Sequence, residues 1–347
     1  MIGAGTLRDL PKAELHQHLD GALLPATAVE LAADARIPLT LSEATTRLVA
    51  PVRCRNQAEL LTYFDLPLRL LQTAGGLRRA AAELVDQMTD DGVTYAEIRW
   101  APLLHLDAGL SVDAVLEAVA DGVASAHAPN RPVVSLIVTA MRSHPPDDNV
   151  ALARTAAAFG PPIVAFDLAG PEAAFPASPH TEAFRVAAAG GLSLTAHAGE
   201  VAGTERIREV LALDVARIAH GVTLAQDAEL VARARELDVT LDMCPTSNVQ
   251  AGIVASVEAH PFAKLHRSGV SVTLSTDDRT VSNTTLSAEL ARCAAAGGLT
   301  PGELADIAIN GYRRAFAPRR IAAPLEHAAR AAWEGWVAGV SRPPTEG

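Results

Sequence analysis

The chain has 347 residues, of which 49% are hydrophobic and 20% are charged, and this composition excludes an intrinsically disordered protein. The 40 acidic residues outnumber the 29 basic ones and give a formal net charge of −11, which disfavours a nucleic-acid partner because a phosphate backbone needs a cationic surface. The length allows either two ordinary domains or one α/β barrel.

Short apolar runs rich in β-branched residues alternate with longer amphipathic stretches, a pattern typical of βαβ units and a parallel sheet. We predict strands at residues 13–18, 94–100, 133–140, 163–168, 192–196, 216–219, 240–243 and 271–275. Amphipathic helices are predicted between them, including 77–91, 112–126, 204–213 and 225–237. Eight strands with intervening helices indicate an α/β fold of the (β/α)8 TIM barrel type.

The segment between the first two predicted strands is too long for one helix, so we expect extra helices within residues 40–73. A long insertion after a barrel strand overlies the active face, which suggests a lid. Its apolar face would be formed by Leu60, Leu61, Tyr63 and Phe64, and plain packing against the core is the alternative interpretation.

The last part of the chain, residues 300–340, is Ala-rich and predicted to form closing helices that end before Pro343 and Pro344. No Ser/Gly/Pro-rich linker and no repeat divides the sequence. We therefore predict a single domain over residues 1–347, with an ordered core over about 7–340.

Cysteine usage and the N-terminal residues bear on the cellular compartment. Cys54, Cys244 and Cys293 are far apart and form no CxxC pair, which argues against a disulfide framework or a cysteine zinc cluster. The first twenty residues are charged where a signal peptide needs an apolar core, and the sequence contains no uncharged apolar run of about 18 residues. We expect a soluble cytoplasmic protein without a membrane partner, and the sequence does not indicate its oligomeric state.

Polar residues cluster where the predicted strands end. His16 and His18 are two residues apart on the first strand, so their imidazoles face the same side and can reach one metal ion. Taken alone, such a pair is more often formed by surface or core histidines than by metal ligands. Other residues are therefore needed to support a metal site.

Three further predicted strands end in the same way, with His197 and Glu200 after the fifth, His220 after the sixth and Asp277 after the eighth. In a (β/α)8 barrel these carboxyl ends share one mouth. Three imidazoles and a carboxylate can therefore meet there, from His16, His18, His197 and Asp277. This set without thiolates favours Zn²⁺, with Fe²⁺, Mn²⁺ and Co²⁺ as alternatives.

The remaining polar groups at the mouth are candidates for catalysis and binding. Glu200 is the natural general acid, and His220 is placed either to accept a proton from the attacking water or to orient it. Asp278 is expected to contact substrate and to point away from Asp277, because neighbours on an extended chain face opposite sides.

The motifs that carry these residues occur in a fixed order along nearly the whole chain. They are ELHQHLDGA at 14–22, DLAG at 167–170, HAGE at 197–200, IAHG at 218–221, CPTSN at 244–248 and STDD at 275–278. In this order the chain resembles the adenosine deaminase family of the amidohydrolase superfamily.

The resemblance implies a zinc-dependent hydrolase that deaminates a 6-aminopurine nucleoside, converting adenosine and 2′-deoxyadenosine to their inosine products and ammonia. It implies that the zinc ligands are His16, His18, His197 and Asp277. It further implies that Glu200 protonates purine N1 and that His220 handles the attacking water. Purine N7 and N3 would be bound by Asp278 and by the Gly170 backbone N–H, while His18 and Asp20 would lie near the ribose 5′-hydroxyl.

Two residues depart from the usual pattern of the family. Gln17 stands within the HxH motif, and Arg279 follows the aspartate pair where many relatives have Pro. Neither is an assigned ligand, but we expect Arg279 and residues 280–285 to reshape the rim of the site.

Other functions stay open. Relatives that act on free adenine tend to carry Glu where Asp20 stands, and a nucleoside with a modified 5′ position, such as aminodeoxyfutalosine or a methylthio derivative, would leave Asp20 without its hydroxyl partner. A metal-dependent hydrolase that cleaves an amide or ester would use the same ligands. A binding module on a degenerate scaffold is disfavoured because every assigned position is filled.

Overall fold

The computed structural model describes residues 2–340, and this part of the chain contains eight strands that form one parallel barrel surrounded by helices. The predicted TIM barrel is thus confirmed. The predicted helix end at Pro343 and Pro344, like both ends of the predicted domain 1–347, lies outside the described residues.

Each strand pairs in parallel with the next one along the chain. The strands are β1 Lys12–His18, β2 Val93–Trp100, β3 Val133–Met141, β4 Ile163–Ala169, β5 Ser193–Ala198, β6 Arg217–His220, β7 Thr240–Met243 and β8 Ser271–Leu274. The barrel closes where a parallel bridge joins Gln17 to Asp277. There the His18 N–H donates to Asp277 O over 2.7 Å and the Asp277 N–H donates to His16 O over 3.0 Å.

The α-helices follow the predicted alternation. They are α1 Ala4–Arg8, α2 Pro25–Asp34, α3 Leu41–Leu48, α4 Gln57–Leu61, α5 Asp65–Leu70, α6 Ala74–Asp90, α7 Val112–Ser125, α8 Pro146–Phe159, α9 Thr181–Ala189, α10 Glu205–Leu211, α11 Ala228–Glu236, α12 Pro245–Gln250, α13 Phe262–Arg267, α14 Leu286–Ala296, α15 Pro301–Arg313 and α16 Arg319–Val340. Helices α15 and α16 pack against each other at the C-terminal end of the chain, as predicted. None of the helices in the described part of the chain is both long and apolar enough to cross a membrane.

The strand boundaries differ from the predicted ones by at most two residues, and β7 spans the predicted residues. β5 and β6 run on to Ala198 and His220, so His197 and His220 belong to the ends of these strands and do not follow them. β8 stops at Leu274, one residue earlier than predicted. The sheet register of β5 and β6 includes His197 and His220, so these polar residues still pair within the sheet.

The insertion after β1 forms α2 to α5 with a 3₁₀ turn at Thr62–Phe64. Leu60, Leu61 and Phe64 line a cavity at the barrel mouth, as predicted for a covering segment. The prediction was wrong for Tyr63, which does not line this cavity. It packs on a small cluster that includes Cys54, and Phe64 also packs on this cluster.

Candidate active site

The four residues predicted as metal ligands lie together at the carboxyl end of the barrel. Each of them offers one nitrogen or carboxylate oxygen atom, and these four atoms all lie within 4.8 Å of one another in the group His16, His18, His197 and Asp277. Three of these residues are buried and His18 is nearly so. The strands β1 and β5 and the turn after β8 therefore bring distant parts of the chain to one point.

The spacing of these atoms suits the ligands of one metal ion. Metal–ligand bonds of about 2.0 to 2.1 Å hold neighbouring ligand atoms roughly 3 to 4 Å apart. His18 Nε2 lies 3.3 Å from His197 Nε2 and 3.4 Å from Asp277 Oδ1. His16 Nε2 lies closer, 2.9 Å from Asp277 Oδ1. The residues present thus fit a divalent metal ion.

The protonation states of the cluster suit metal binding as well. Burial lowers the pKa of the His16 imidazole well below its usual range and that of His18 to about 3, so both rings are neutral. Burial opposes ionisation of Asp277, but the adjacent imidazoles outweigh it and hold the pKa of this carboxyl well below its usual value. Neutral imidazoles and an ionised carboxylate are the forms that bind metal.

Two groups outside the cluster orient its members. Asp167, at the end of β4, accepts a hydrogen bond from His197 Nδ1 over 3.1 Å and leaves Nε2 facing the other ligands. The Ser247 hydroxyl donates to Asp277 Oδ2 over 2.6 Å. Sequence reasoning missed both roles, although both residues lie within motifs that it singled out.

Asp278 lines the same cavity as Asp277, contrary to the expectation that it would point elsewhere. The alternation rule does not apply, because Asp277 has a φ of 64° and the chain turns sharply there. His220 has a similar φ of 68°. Left-handed backbone is rare for residues other than glycine and clusters at functional sites, so its presence at both residues supports a functional role for this mouth.

Glu200 follows β5 in a loop that a second carboxyl group holds in place. Glu172 accepts the N–H groups of Gly199 and Glu200, each over 2.8 Å. Burial, reinforced by the charges of Glu172 and Asp277, raises the pKa of Glu200 well above its usual value. The raised pKa favours the protonated form of Glu200, which is the form that a general acid requires.

The cavity has a volume of about 250 Å³ and mostly apolar walls. Asp20, Gly170 and Asp278 line it together with Glu200 and His220, so all the predicted catalytic and binding residues face one space or the cluster below it. Burial raises the pKa of Asp20 to about 6 and that of Asp278 well above its usual value. A small apolar space with a few convergent polar groups is typical of a ligand site.

His220 lies between the acid and the cluster. Its Nε2 is 3.3 Å from Glu200 Oε1 and 3.9 Å from Asp277 Oδ2. Its Nδ1 is 3.1 Å from the amide nitrogen of Asn248 on α12. Burial lowers the pKa of His220 to about 3, so the ring is neutral.

Arg279 does not shape the rim, contrary to expectation, because its side chain is buried behind β1. Its guanidinium donates to Glu14, to Asp91 Oδ2 over 3.2 Å and to Gln17 Oε1 over 3.0 Å. The two departures from the family pattern, Gln17 and Arg279, are thus partners of each other. The Arg279 side chain reaches carboxylates near the point where β1 and β8 close the barrel. The position of Arg279 in the sequence does not reveal these contacts.

Comparisons with known proteins agree with this geometry. The adenosine deaminase family model matches residues 11–327. The adenosine deaminase of Mycolicibacterium gilvum is 38% identical over 344 residues, covering 91% of this chain and 93% of the relative. The adenosine deaminase of Clostridium perfringens is 38% identical over 288 residues, covering 82% of this chain and 87% of the relative.

Solved structures show the same fold. An amidohydrolase from Burkholderia ambifaria with bound Zn superposes with a TM-score of 0.89 at 24% identity, covering 97% of this chain and 94% of the other. The adenine deaminase of Arthrobacter aurescens superposes with a TM-score of 0.83 at 26% identity, covering 95% of this chain and 99% of the other. The family model and the relatives span most of the chain, and so the chain belongs to the adenosine deaminase family.

Proposed function

We propose that the chain hydrolyses the 6-amino group of adenosine and of 2′-deoxyadenosine, releasing ammonia and the corresponding inosine nucleoside. One observation carries this proposal: two buried carboxyl groups with raised pKa values, Glu200 and Asp278, face an apolar cavity beside three imidazoles and an ionised carboxylate. The relatives named adenosine deaminase, at 38% identity, support the choice of substrate.

The metal we propose is Zn²⁺, one per chain, held by His16, His18, His197 and Asp277. The donor set carries the choice, because three imidazoles and one carboxylate without a thiolate suit zinc best. When bound there, zinc supplies Lewis-acid activation of water by lowering its pKa. Fe²⁺, Mn²⁺ and Co²⁺ also accept imidazole and carboxylate ligands, and metal analysis of the purified protein distinguishes them from zinc.

Glu200 supplies the proton that the purine needs. Attack at C6 pushes electrons into the ring, and protonation of N1 lets the ring accept them. The raised pKa of Glu200 favours the protonated form that can donate this proton. The hydrogen bonds from the N–H groups of Gly199 and Glu200 to Glu172 fix the position of this loop.

Asp278 and Gly170 would bind the five-membered and six-membered rings of the purine. N7 is a hydrogen-bond acceptor, so it needs a donor, and the raised pKa of Asp278 favours the protonated form of this carboxyl, which can donate. The Gly170 N–H would donate to N3. The φ of 106° at Gly170 is a conformation that residues with a side chain rarely adopt, and a Cβ there would lie 3.0 Å from Met141 Cε.

His220 would act on the attacking water, since its Nε2 faces both Glu200 and Asp277. Asp20 and His18 would lie near the ribose 5′-hydroxyl. Asp20 lines the cavity and is 5% exposed, so it is available for a direct hydrogen bond to a small hydroxyl group. A reducing cytoplasm as the location of the enzyme stays a prediction from the sequence.

A substrate panel tests the proposal. Metal-analysed protein is given adenosine, 2′-deoxyadenosine, adenine, 5′-methylthioadenosine and aminodeoxyfutalosine, and ammonia release is followed with the loss of purine ultraviolet absorbance. We expect the highest kcat/KM with adenosine and 2′-deoxyadenosine. A higher value with adenine or with a 5′-modified nucleoside would replace the proposed substrate, and no ammonia from any of them would reject the deaminase function.

A further inference from the structure

A line of buried hydrogen bonds joins a backbone amide to the ring of His220. The Phe262 N–H, at the start of α13, donates to His260 Nδ1 over 3.2 Å. His260 Nε2 lies 3.0 Å from Asn248 Oδ1, and Asn248 Nδ2 lies 3.1 Å from His220 Nδ1. The exposed fractions of His260, Asn248 and His220 are 5%, 0% and 1%, so water does not compete for these contacts.

The direction of every bond in this line follows from its first member. A backbone amide can only donate, so His260 Nδ1 must accept. Burial lowers the pKa of His260 to about 3, which leaves a neutral ring with its proton on Nε2. That N–H donates to Asn248 Oδ1, and the Asn248 amide then turns its NH₂ group towards His220 Nδ1, which has to accept.

We propose that His260 and Asn248 are positioning residues that keep the proton of His220 on Nε2, so that His220 presents an N–H and no lone pair to the active site. The sequence left two roles open for His220, accepting a proton from the attacking water or orienting it. A ring whose Nδ1 accepts from Asn248 and whose Nε2 carries the proton orients the water oxygen by donating to it. This catalytic consequence rests on the proposed function, but the tautomer itself does not.

Neither partner contacts the cavity directly, and His260 acts only through Asn248. The two residues are separated by 12 positions in the chain, with Asn248 on α12 and His260 in the segment that links α12 to α13. The direction of the Phe262 N–H therefore determines which nitrogen of His220, at the end of β6, carries the proton. This relation depends on how α12 and α13 pack against the barrel.

Nuclear magnetic resonance of the zinc-loaded enzyme tests the tautomer. In protein labelled with ¹⁵N-histidine, long-range ¹H–¹⁵N correlation spectra distinguish protonated from unprotonated ring nitrogens, and the His220→Asn variant identifies the His220 signals by their loss. We expect His220 to be protonated at Nε2 and unprotonated at Nδ1. Protonation at Nδ1 in the unaltered enzyme would overturn the proposal, whatever the substrate proves to be.

Asn248→Asp reverses one bond of the line without changing its shape. A carboxylate can only accept, so His220 must carry its proton on Nδ1 and offer a lone pair at Nε2. We expect the tautomer signal to switch and kcat for adenosine to fall at least about tenfold, while KM and the zinc content stay close to those of the unaltered enzyme. An unchanged tautomer together with unchanged kcat would contradict the proposal.

A second pair of variants separates positioning from packing and does not depend on Asn248→Asp folding. His260→Gln retains a side-chain NH₂ that can donate to Asn248 Oδ1, whereas His260→Leu retains bulk and loses the donor. We expect His260→Gln to retain more of kcat and more of the Nε2-protonated signal than His260→Leu. His266→Leu, on α13 and away from this line, serves as the control with unchanged kcat. Equal losses in the two His260 variants would show a packing role only.

Discussion

At the scale of single residues, the site depends on carboxyl groups that remain protonated. Glu200 and Asp278 are buried near other carboxylates, and each is expected to donate a hydrogen bond to an acceptor nitrogen of the purine. The sign of the pH dependence follows: both groups donate below their raised pKa values, and the ability to donate is lost as the pH rises through them.

Replacing Glu200 by Gln tests the acid. The amide retains size and hydrogen bonding but has no acidic proton to transfer, so kcat should fall at least about a hundredfold while the zinc content per chain is unchanged. Steady-state kinetics and metal analysis measure the two effects. The control is Glu205→Gln, at the exposed start of α10. Activity of Glu200→Gln within a few-fold of the unaltered enzyme would remove Glu200 from the mechanism.

Asp20 decides between nucleoside substrates. If it accepts a hydrogen bond from the ribose 5′-hydroxyl, 5′-deoxyadenosine leaves a buried carboxylate unpaired, at a cost of about 1 to 3 kcal/mol or roughly five- to 150-fold in kcat/KM. The comparison is made above the raised pKa of about 6, where Asp20 is ionised. Asp20→Ala should reduce the difference in kcat/KM between adenosine and 5′-deoxyadenosine. Asp34→Ala, which changes an exposed residue of α2, should leave this difference unchanged.

An unaltered enzyme that processes 5′-deoxyadenosine as well as adenosine would contradict this assignment of Asp20. The 5′-modified nucleosides would then become the leading substrates. The outcome leaves the assignment of Glu200 untouched, because the two residues contact different parts of the nucleoside.

At the scale of elements, the seam between β1 and β8 sets the geometry of the site. It carries His16 and His18 on one side and Asp277 on the other, joined by the bridge between Gln17 and Asp277. Behind it, Glu14 accepts from the Thr276 N–H over 3.2 Å and from the Thr276 hydroxyl. The metal ligands thus depend on side chains that do not face the cavity.

Gly21, in the turn after β1, leaves the space that Asp278 occupies. A Cβ at Gly21 would lie 1.8 Å from Asp278 Oδ1, so Gly21→Ala must displace this carboxyl. We expect kcat/KM for adenosine to fall at least about tenfold through the loss of one hydrogen bond, with the zinc content unchanged. Gly75→Ala, where a Cβ would meet nothing within 4 Å, is the matched control. Equal activity of both variants would show that the position of Asp278 is unimportant.

Arg279 neutralises the buried carboxylates of the seam. Arg279→Met leaves Glu14 and Asp91 without their cation, which should lower the free energy of unfolding by about 3 to 5 kcal/mol. Arg267→Met removes a partly exposed pair with Glu303 and should cost no more than about 1 kcal/mol. Urea unfolding of the two variants makes the comparison. Similar stabilities would mean that the seam does not depend on this ion pair.

Much of the site was predictable from local rules. The alternation of side chains along a strand places His16 and His18 on one face, and the common direction of parallel strands brings His197 to them. Asp278 was mispredicted because the left-handed backbone at Asp277 breaks the alternation, and no sequence signal marked it. Asn248 and His260 act through contacts that form only when α12 and α13 pack, so their roles needed the structure.

At the scale of the whole molecule, the periodicity of apolar runs predicted the barrel because each strand buries both faces, one against the interior and one against the surrounding helices. The predicted insertion also lies over the mouth, where it contributes the apolar wall formed by Leu60, Leu61 and Phe64. The sequence did not predict which residues of the insertion face the cavity. Tyr63 and Phe64 are adjacent aromatic residues, and only Phe64 lines it.

The central claim is that one metal ion at the barrel mouth makes this chain an adenosine deaminase. The most direct measurement is ammonia release from adenosine while metal-free protein is titrated with Zn²⁺, with the His197→Ala variant in parallel. We expect activity that rises with added zinc and reaches a plateau at about one ion per chain, and no comparable activity in the variant, which lacks one ligand. Full activity without metal, or an unchanged titration in His197→Ala, would contradict it.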